Sequence, residues 1–369
     1  MKVHGKCLTL FLLLNVLTGI SVPATAQTTA PAQIKAEISR LQQSLKDAPI
    51  ADKNFAEVPS MVEGTLKATS DAVNAGQLYL ALEKLGQAES LLHGVQRAAD
   101  KTEVEKGGLP AFQSQWNKAS LRLTALDKDA HAKPWDHAPL AVRALSEAAQ
   151  GKAIPLLEGA QGFAVATGPK DGLFYIGQAE GESDFATFCA SLALVDKGPG
   201  FPLRSWLPEL QTMQAKANAA FQPPQSIDLH SRFIALNSTI KLAQELDASR
   251  FYAGALFAYL EAVRHYGMLK TPPLDAAKQA ELKQDLAAER TRLAASSGDD
   301  SLAQLFVERA QSYAAHPDGS APSADEWRGA TVILDQVLPA YYAAKKPAAQ
   351  IAQTSGKTVE ITLVRWPYT

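Results

Sequence analysis

The sequence predicts an all-α protein: an irregular array of antiparallel helical hairpins, followed by a short C-terminal β-strand. Three observations carry this expectation. Alanine is abundant and β-branched runs are scarce, which favours helix. Apolar residues recur at the i, i+3, i+4, i+7 spacing of one helix face through most of the chain. Gly, Pro and Asp clusters interrupt these segments tens of residues apart, the rhythm of stacked hairpins.

At the start, Lys2 and Lys6 precede the apolar run Leu8 to Leu17, and Ala24 and Ala26 provide an A-x-A cleavage site. Residues 1–26 are therefore expected to be a Sec-type signal peptide, cut near Ala26, and the mature protein to be periplasmic or secreted. No later run reaches the roughly 20 uninterrupted apolar residues of a membrane span, so no transmembrane segment is expected in the mature chain. Cleavage removes two lysines and no acid, taking the formal charge from −2 to −4. With no basic run, nucleic acid is not an expected partner. Cys189 is then the single remaining cysteine, read as a small buried apolar residue, and stability must come from core packing.

Three regions follow: an N-terminal helical region over 27–128, a main helical region over 138–347, and a tail over 348–369. Ile34, Ile38, Leu41 and Leu45 mark the first helix, and Val62, Leu66 and Val73 the second. After Gly76 the pattern resumes through Leu78, Leu82, Leu85, Leu92 and Val95, until Gly107-Gly108 and Pro110 break it. Phe112 to Leu126 forms another helix, and Asp127 to Pro139 is expected to be a loop between regions. Val142 to Ala166 is helical, with Pro155 expected to kink or restart it.

Leu173 to Leu194 has two readings. Phe163 to Thr167 could pair with Phe174, Tyr175 and Ile176 as a hairpin. Helical spacing of Phe185, Phe188, Leu192 and Val195 favours a helix with Asp171 as N-cap. Trp206, Leu210 and Met213 open the next helix, and Ser226 is expected to cap the one after, carrying Phe233, Leu236 and Ile240. Ala276 to Leu293 is strongly charged and reads as a surface helix. Leu302, Leu305 and Phe306 begin another, and Trp327 to Tyr341 the last. Val359, Ile361 and Leu363 alternate with polar residues in Thr358 to Trp366, a strand signal.

Arg250 to Leu269 stands at the centre of this pattern because it is apolar nearly all round, the signature of a helix inside a multi-helix core. Tyr252, Leu256, Tyr259, Val263 and Tyr266 share one face, and Phe251, Ala255, Ala258, Ala262 and His265 a second. Glu261, Arg264 and His265 are spaced to interact; they read as a solvent-facing ion pair, with a polar cluster beneath an aromatic groove as the alternative. The short link Asp247-Ala248-Ser249 makes this helix and its predecessor an antiparallel hairpin.

Gly76 and Tyr79 followed by Ala88, Leu92 and Val95 resemble the tetratricopeptide pattern. Ala153, Leu157 and Ala160, and Ala255, Tyr259 and Ala262, resemble its second half. No constant period emerges, so the array is irregular and only locally similar to that repeat.

No catalytic or cofactor motif is legible. Gly177-Gln178-Ala179-Glu180-Gly181 lacks the nucleophile of a G-x-S-x-G elbow, and neither a P-loop nor a dinucleotide fingerprint is present. Asp127, Asp129, His131, Asp136 and His137 concentrate metal-capable side chains, but without zinc-enzyme spacing, and they read as a polar loop.

The leading functional expectation is a scaffold binding another envelope protein or a peptide. A second is a small-molecule or glycan site at Tyr252, Tyr259, Glu261 and Tyr266, with Trp206 or Phe233 nearby. A third is a hydrolase near His131 and His137. No metal or cofactor is expected.

Overall fold

The computed structural model describes residues 29–48, 55–132, 138–194, 200–224, 226–272, 274–316 and 319–346, and is helical throughout, with no strand among them. The predicted signal peptide and the predicted strand at 358–366 lie outside the described residues. In chain order the helices are α1 (Ala30–Asp47), α2 (Val58–Asn74), α3 (Leu78–Ala99), α4 (Thr102–Ala132), α5 (Leu140–Ala166), α6 (Pro169–Ser191) and α7 (Leu207–Ala220). Then come α8 (His230–Ala248), α9 (Tyr252–Lys270), α10 (Ala276–Ala294), α11 (Ser301–Ala314), α12 (Ala324–Val332) and α13 (Leu338–Lys345). A π-helical turn, Ile333–Val337, joins α12 to α13 without a break. Pro339 lies just beyond it and has no N–H for the regular ladder.

Helix α9 occupies the centre, packed against α5, α7, α8, α12 and α13. Ala253, Gly254, Ala255 and Ala258 on one side and Leu256, Leu260 and Val263 on the other are all buried. It forms an antiparallel hairpin with α8: Arg232, at the start of α8, donates from Nη1 to the Met268 carbonyl at the end of α9 (3.1 Å). One contiguous core takes side chains from α1–α3 and from α5–α13. A second, smaller core lies between α4 and the adjoining halves of α5 and α6, around Phe112, Leu157, Leu173 and Ile176.

Several local expectations are corrected. Helix α4 continues to Ala132, through half of the expected loop from Asp127, because nothing in 127–132 opposes a helix until the restriction before Pro134. Its entry differs as well: the helix restarts at Thr102 and kinks at Gly108, whose φ of 60° is open to glycine at little cost. Pro155 sits inside an unbroken α5, which Leu157, Ala160 and Ala164 anchor in the second core. Residues 163–166 end α5 and 169–180 belong to α6, so the segment is two helices meeting at Thr167-Gly168 and not a β-hairpin. Helix α6 starts at Pro169, a residue suited to the first turn, so its N-cap is Gly168 and not Asp171. Ser226 does not cap α8; its Oγ accepts from the Gln222 N–H (2.9 Å), and a 3₁₀ turn precedes His230.

The glycines of 177–181 have a packing role. A Cβ on Gly181 would come within 2.8 Å of the Glu89 carbonyl oxygen, and Gly177 abuts the His93 carbonyl. One turn apart on α6, they let α3 approach backbone to backbone.

Most of the helices lack a side-chain N-cap hydrogen bond of their own, and at α3, α5, α7 and α9 the substitute comes from across the fold. Acidic residues from elsewhere supply the acceptors. Glu308 Oε2 accepts from the N–H groups of Tyr79 (3.0 Å) and Leu80 (2.9 Å) at α3. Asp299 Oδ2 accepts from Leu140 N–H (2.6 Å) and Ser301 Oγ from Ala141 N–H (2.9 Å) at α5. Asp247 Oδ1 takes the Trp206 N–H (2.9 Å) at α7, and Glu147 Oε2 the Gly254 N–H (2.8 Å) at α9. These bonds satisfy otherwise orphaned helix donors and place negative charge at the positive end of each dipole.

Candidate functional site

A cleft of about 400 Å³ opens between six helices, α3, α5, α6, α8, α9 and α11. Its walls follow helical periodicity. Helix α3 presents Leu80, Glu83, Lys84 and Gln87, and α5 presents Leu145, Ala148, Ala149 and Lys152, each at i, i+3, i+4, i+7. Helix α9 supplies Phe257, Ala258, Glu261, Arg264 and His265; α11 supplies Arg309, Ser312 and Tyr313; Phe185 and Glu182 come from α6, Thr239 and Leu242 from α8. The volume falls within the usual range for small-molecule sites, roughly 300–1,000 Å³.

A chain of ion pairs forms one side. Arg309, only 6% exposed, bonds Glu83 through Nε (3.2 Å) and Nη2, and Glu261 through Nη1. Glu261 Oε2 accepts from Arg264 Nε (2.9 Å), and Arg264 Nη2 lies 3.4 Å from His265 Nε2. The expected solvent-facing pair is therefore corrected: the side chains of Glu261 and Arg264 are 15% and 17% exposed, and Arg309 of α11 bonds Glu261. Arg309 leaves no local signal as a partner because it lies 48 residues away.

Burial alone would raise the Glu261 carboxyl, but the Arg309 and Arg264 guanidiniums hold it well below the usual carboxylate range. Arg309 is likewise held charged against its burial by Glu261 and Glu83. Burial lowers the His265 imidazole, and the neighbouring Arg264 charge lowers it further; neutral, it can accept from Arg264. Burial raises the Glu182 carboxyl, while Lys152 opposes that shift. Both arginines are thus engaged by carboxylates, whereas Lys84 has no ion-pair partner among the described residues.

The predicted site residues do not converge. Glu261 lines the cleft, but Tyr252, Tyr259 and Tyr266 do not. Glu261 lies two positions after Tyr259, about 200° around a helix, so they face opposite ways. Tyr252 gives its carbonyl to Trp206 Nε1 (2.9 Å), half-buried Tyr259 packs on the main core, and the Tyr266 ring lies 4.9 Å from Lys270 Nζ. Trp206 and Phe233 are core residues. Cys189 is buried, which raises its thiol far above the ordinary value. The side chains of Asp127, Asp129 and His131, with Asp136 and His137, lie outside the described part; among the described residues no group of three His, Cys, Asp or Glu is placed to hold a metal.

Glu83, Lys84, Lys152, Glu182 and Arg309 were missed as site residues. The available signal was charge on a buried face: Glu83 and Lys84 interrupt α3, whose neighbours Ala81, Leu82, Leu85 and Gly86 are buried. No described helix is long and apolar enough to cross a membrane. No family model, curated protein or solved structure matches this chain.

Proposed function

We propose that this is a binding protein for a small molecule, seated in the cleft between α3, α5, α9 and α11. The observation that carries the reading is the combination of about 400 Å³ of space with two kinds of wall. Leu145, Ala148, Ala149, Phe185 and Phe257 give the cleft an apolar lining, while charged side chains held by mutual pairs offer fixed polar partners. Such preorganisation limits the ordering cost of binding. The site replaces the tyrosine-lined pocket expected from the sequence and keeps Glu261.

Nile red, a neutral apolar dye, tests it. One dye per chain should bind saturably, and Thr239→Trp, which fills the cleft from its half-buried α8 wall, should abolish binding while circular dichroism remains unchanged. Equal binding by the variant would remove the cleft from consideration.

A protein-docking role, as in helical hairpin scaffolds, is favoured by a different observation. Leu121 on α4 and Val165 on α5 are 74% and 76% exposed, with Ile154 50% exposed, all on the helices flanking the second core. Such a scaffold would act on exported partners if residues 1–26 are a signal peptide. Detection of a precursor cut near Ala26 by N-terminal sequencing tests that address.

A further inference from the structure

The charge on the cleft walls is unevenly spent. Four cations, Lys84, Lys152, Arg264 and Arg309, face three carboxylates, Glu83, Glu182 and Glu261. Arg309 is shared between Glu83 and Glu261, and Arg264 is held by Glu261. Those four groups neutralise one another and are locked in geometry. What remains is two lysines against one carboxyl, Glu182; the Lys152 charge offsets that of Glu182, which leaves Lys84 in excess. Lys84 is half-buried, one residue after the carboxylate that holds Arg309, with no ion-pair partner among the described residues. A half-buried ammonium on the wall of a cleft is stabilised by an anion brought to it, since its own solvation there is reduced.

Apolar area sits on the same faces. Leu80 is one turn from Lys84 on α3, and Ala148 and Ala149 one turn from Lys152 on α5. A ligand that satisfies both walls has one acidic group and one compact apolar part.

Resting on the small-molecule reading above, we propose that the cleft selects amphipathic anions, an acidic headgroup on an apolar body, with Lys84 as the principal headgroup partner and Lys152 as the second. The shared chemistry is a singly or doubly charged oxyanion, which a carboxylate or a phosphate ester can provide.

Isothermal titration of the native chain with octanoate, octyl phosphate and octanamide tests this. Octanoate and octanamide match in chain length and differ in charge. Octanoate should bind at least tenfold more tightly than octanamide, and its affinity should fall as salt is raised. Lys84→Met, which keeps the aliphatic stem, should cost octanoate about tenfold and leave octanamide unchanged, while Lys84→Arg retains most of the affinity. If octyl phosphate exceeds octanoate in the wild type, the headgroup is a phosphate ester; the reverse order assigns a carboxylate. Equal affinity for octanoate and octanamide, or no effect of Lys84→Met in a variant with an unchanged melting temperature, overturns the charge selection and leaves the cleft reading standing. No binding of any of the three, together with failure of Nile red to bind, overturns both.

Discussion

Burial holds the Glu308 carboxyl at about 7, although the Leu80 and Tyr79 N–H groups and Gln304 all favour its charged form. Its ordinary value is 4.5, so the folded protein holds a proton there that the unfolded chain gives up. Stability from this group is full below about 4.5 and is lost as pH rises towards about 7. Glu308→Gln keeps an acceptor for the α3 donors without the titration. In urea unfolding it should gain roughly 1–3 kcal/mol on the wild type between pH 5 and pH 8. Glu89, raised to about 8 by burial and with Oε2 lacking a partner, should act in the same direction over a window ending one unit higher. Glu261 has the opposite sign: its depressed carboxyl stabilises above its ordinary value and loses that contribution only in acid. Removing Arg309 exposes how much the buried network depends on pairing. Arg309→Met leaves Glu83 without that guanidinium and should cost about 3–5 kcal/mol by denaturant titration. At this scale the sequence showed Glu261 but misplaced its companions, because tyrosines at a seven-residue spacing share a face that Glu261, two residues on, cannot join. That much was readable from helix geometry; the partners on α3 and α11 were not, since long-range pairing leaves no local signal.

The hairpin links show why some elements were legible and others were not. Helix α2 ends with Gly76 at φ 71°, Gly76 N–H bonding Val73 O (3.1 Å) and Gln77 N–H bonding Ala72 O (2.8 Å). Helix α8 ends the same way at Arg250, φ 63°, with Arg250 N–H on Asp247 O (3.0 Å) and Phe251 N–H on Leu246 O (2.9 Å). Both are Schellman closures, and glycine is the residue that occupies the left-handed position without strain. Gly76 therefore announced its helix end, while Arg250 announced nothing and the boundary had to come from apolar periodicity. Arg250→Gly should raise stability by roughly 0.5–1 kcal/mol, and Gly76→Ala should lower it by about 1 kcal/mol, both read from denaturation midpoints. The helix starts were harder still. Asp171 and Ser226 are good capping residues by type, yet α6 begins at Pro169 and α8 at His230, and the caps of α3, α5, α7 and α9 come from other parts of the chain. A cap supplied across the fold is invisible to any local pattern. Asp299→Ala should cost about 1–2 kcal/mol by leaving the Leu140 N–H at the buried start of α5 without its acceptor, with amide exchange accelerated at Leu140.

Over the whole molecule, the all-helical class was readable from composition and spacing, and α9 was recognised as the central helix because it is apolar all round. The assembly around it was not readable. Helices α1–α3 share the main core with α5–α13, and Glu308 and Arg309 of α11 reach back to α3. Residues 138–346 expressed alone therefore expose the α3-facing sides of α5, α6 and α11, and should lack a cooperative thermal transition by calorimetry. A sharp transition near that of the full chain would show that the two regions fold independently. The same arrangement creates the cleft, since its walls come from helices on both sides of residues 133–137. The most direct measurement is a crystal structure of the full chain at saturating octanoate. The expected result is the carboxylate within hydrogen-bond reach of Lys84 Nζ and the alkyl chain against Ala148, Ala149 and Phe185. An empty cleft, with octanoate bound elsewhere or not at all, would contradict it.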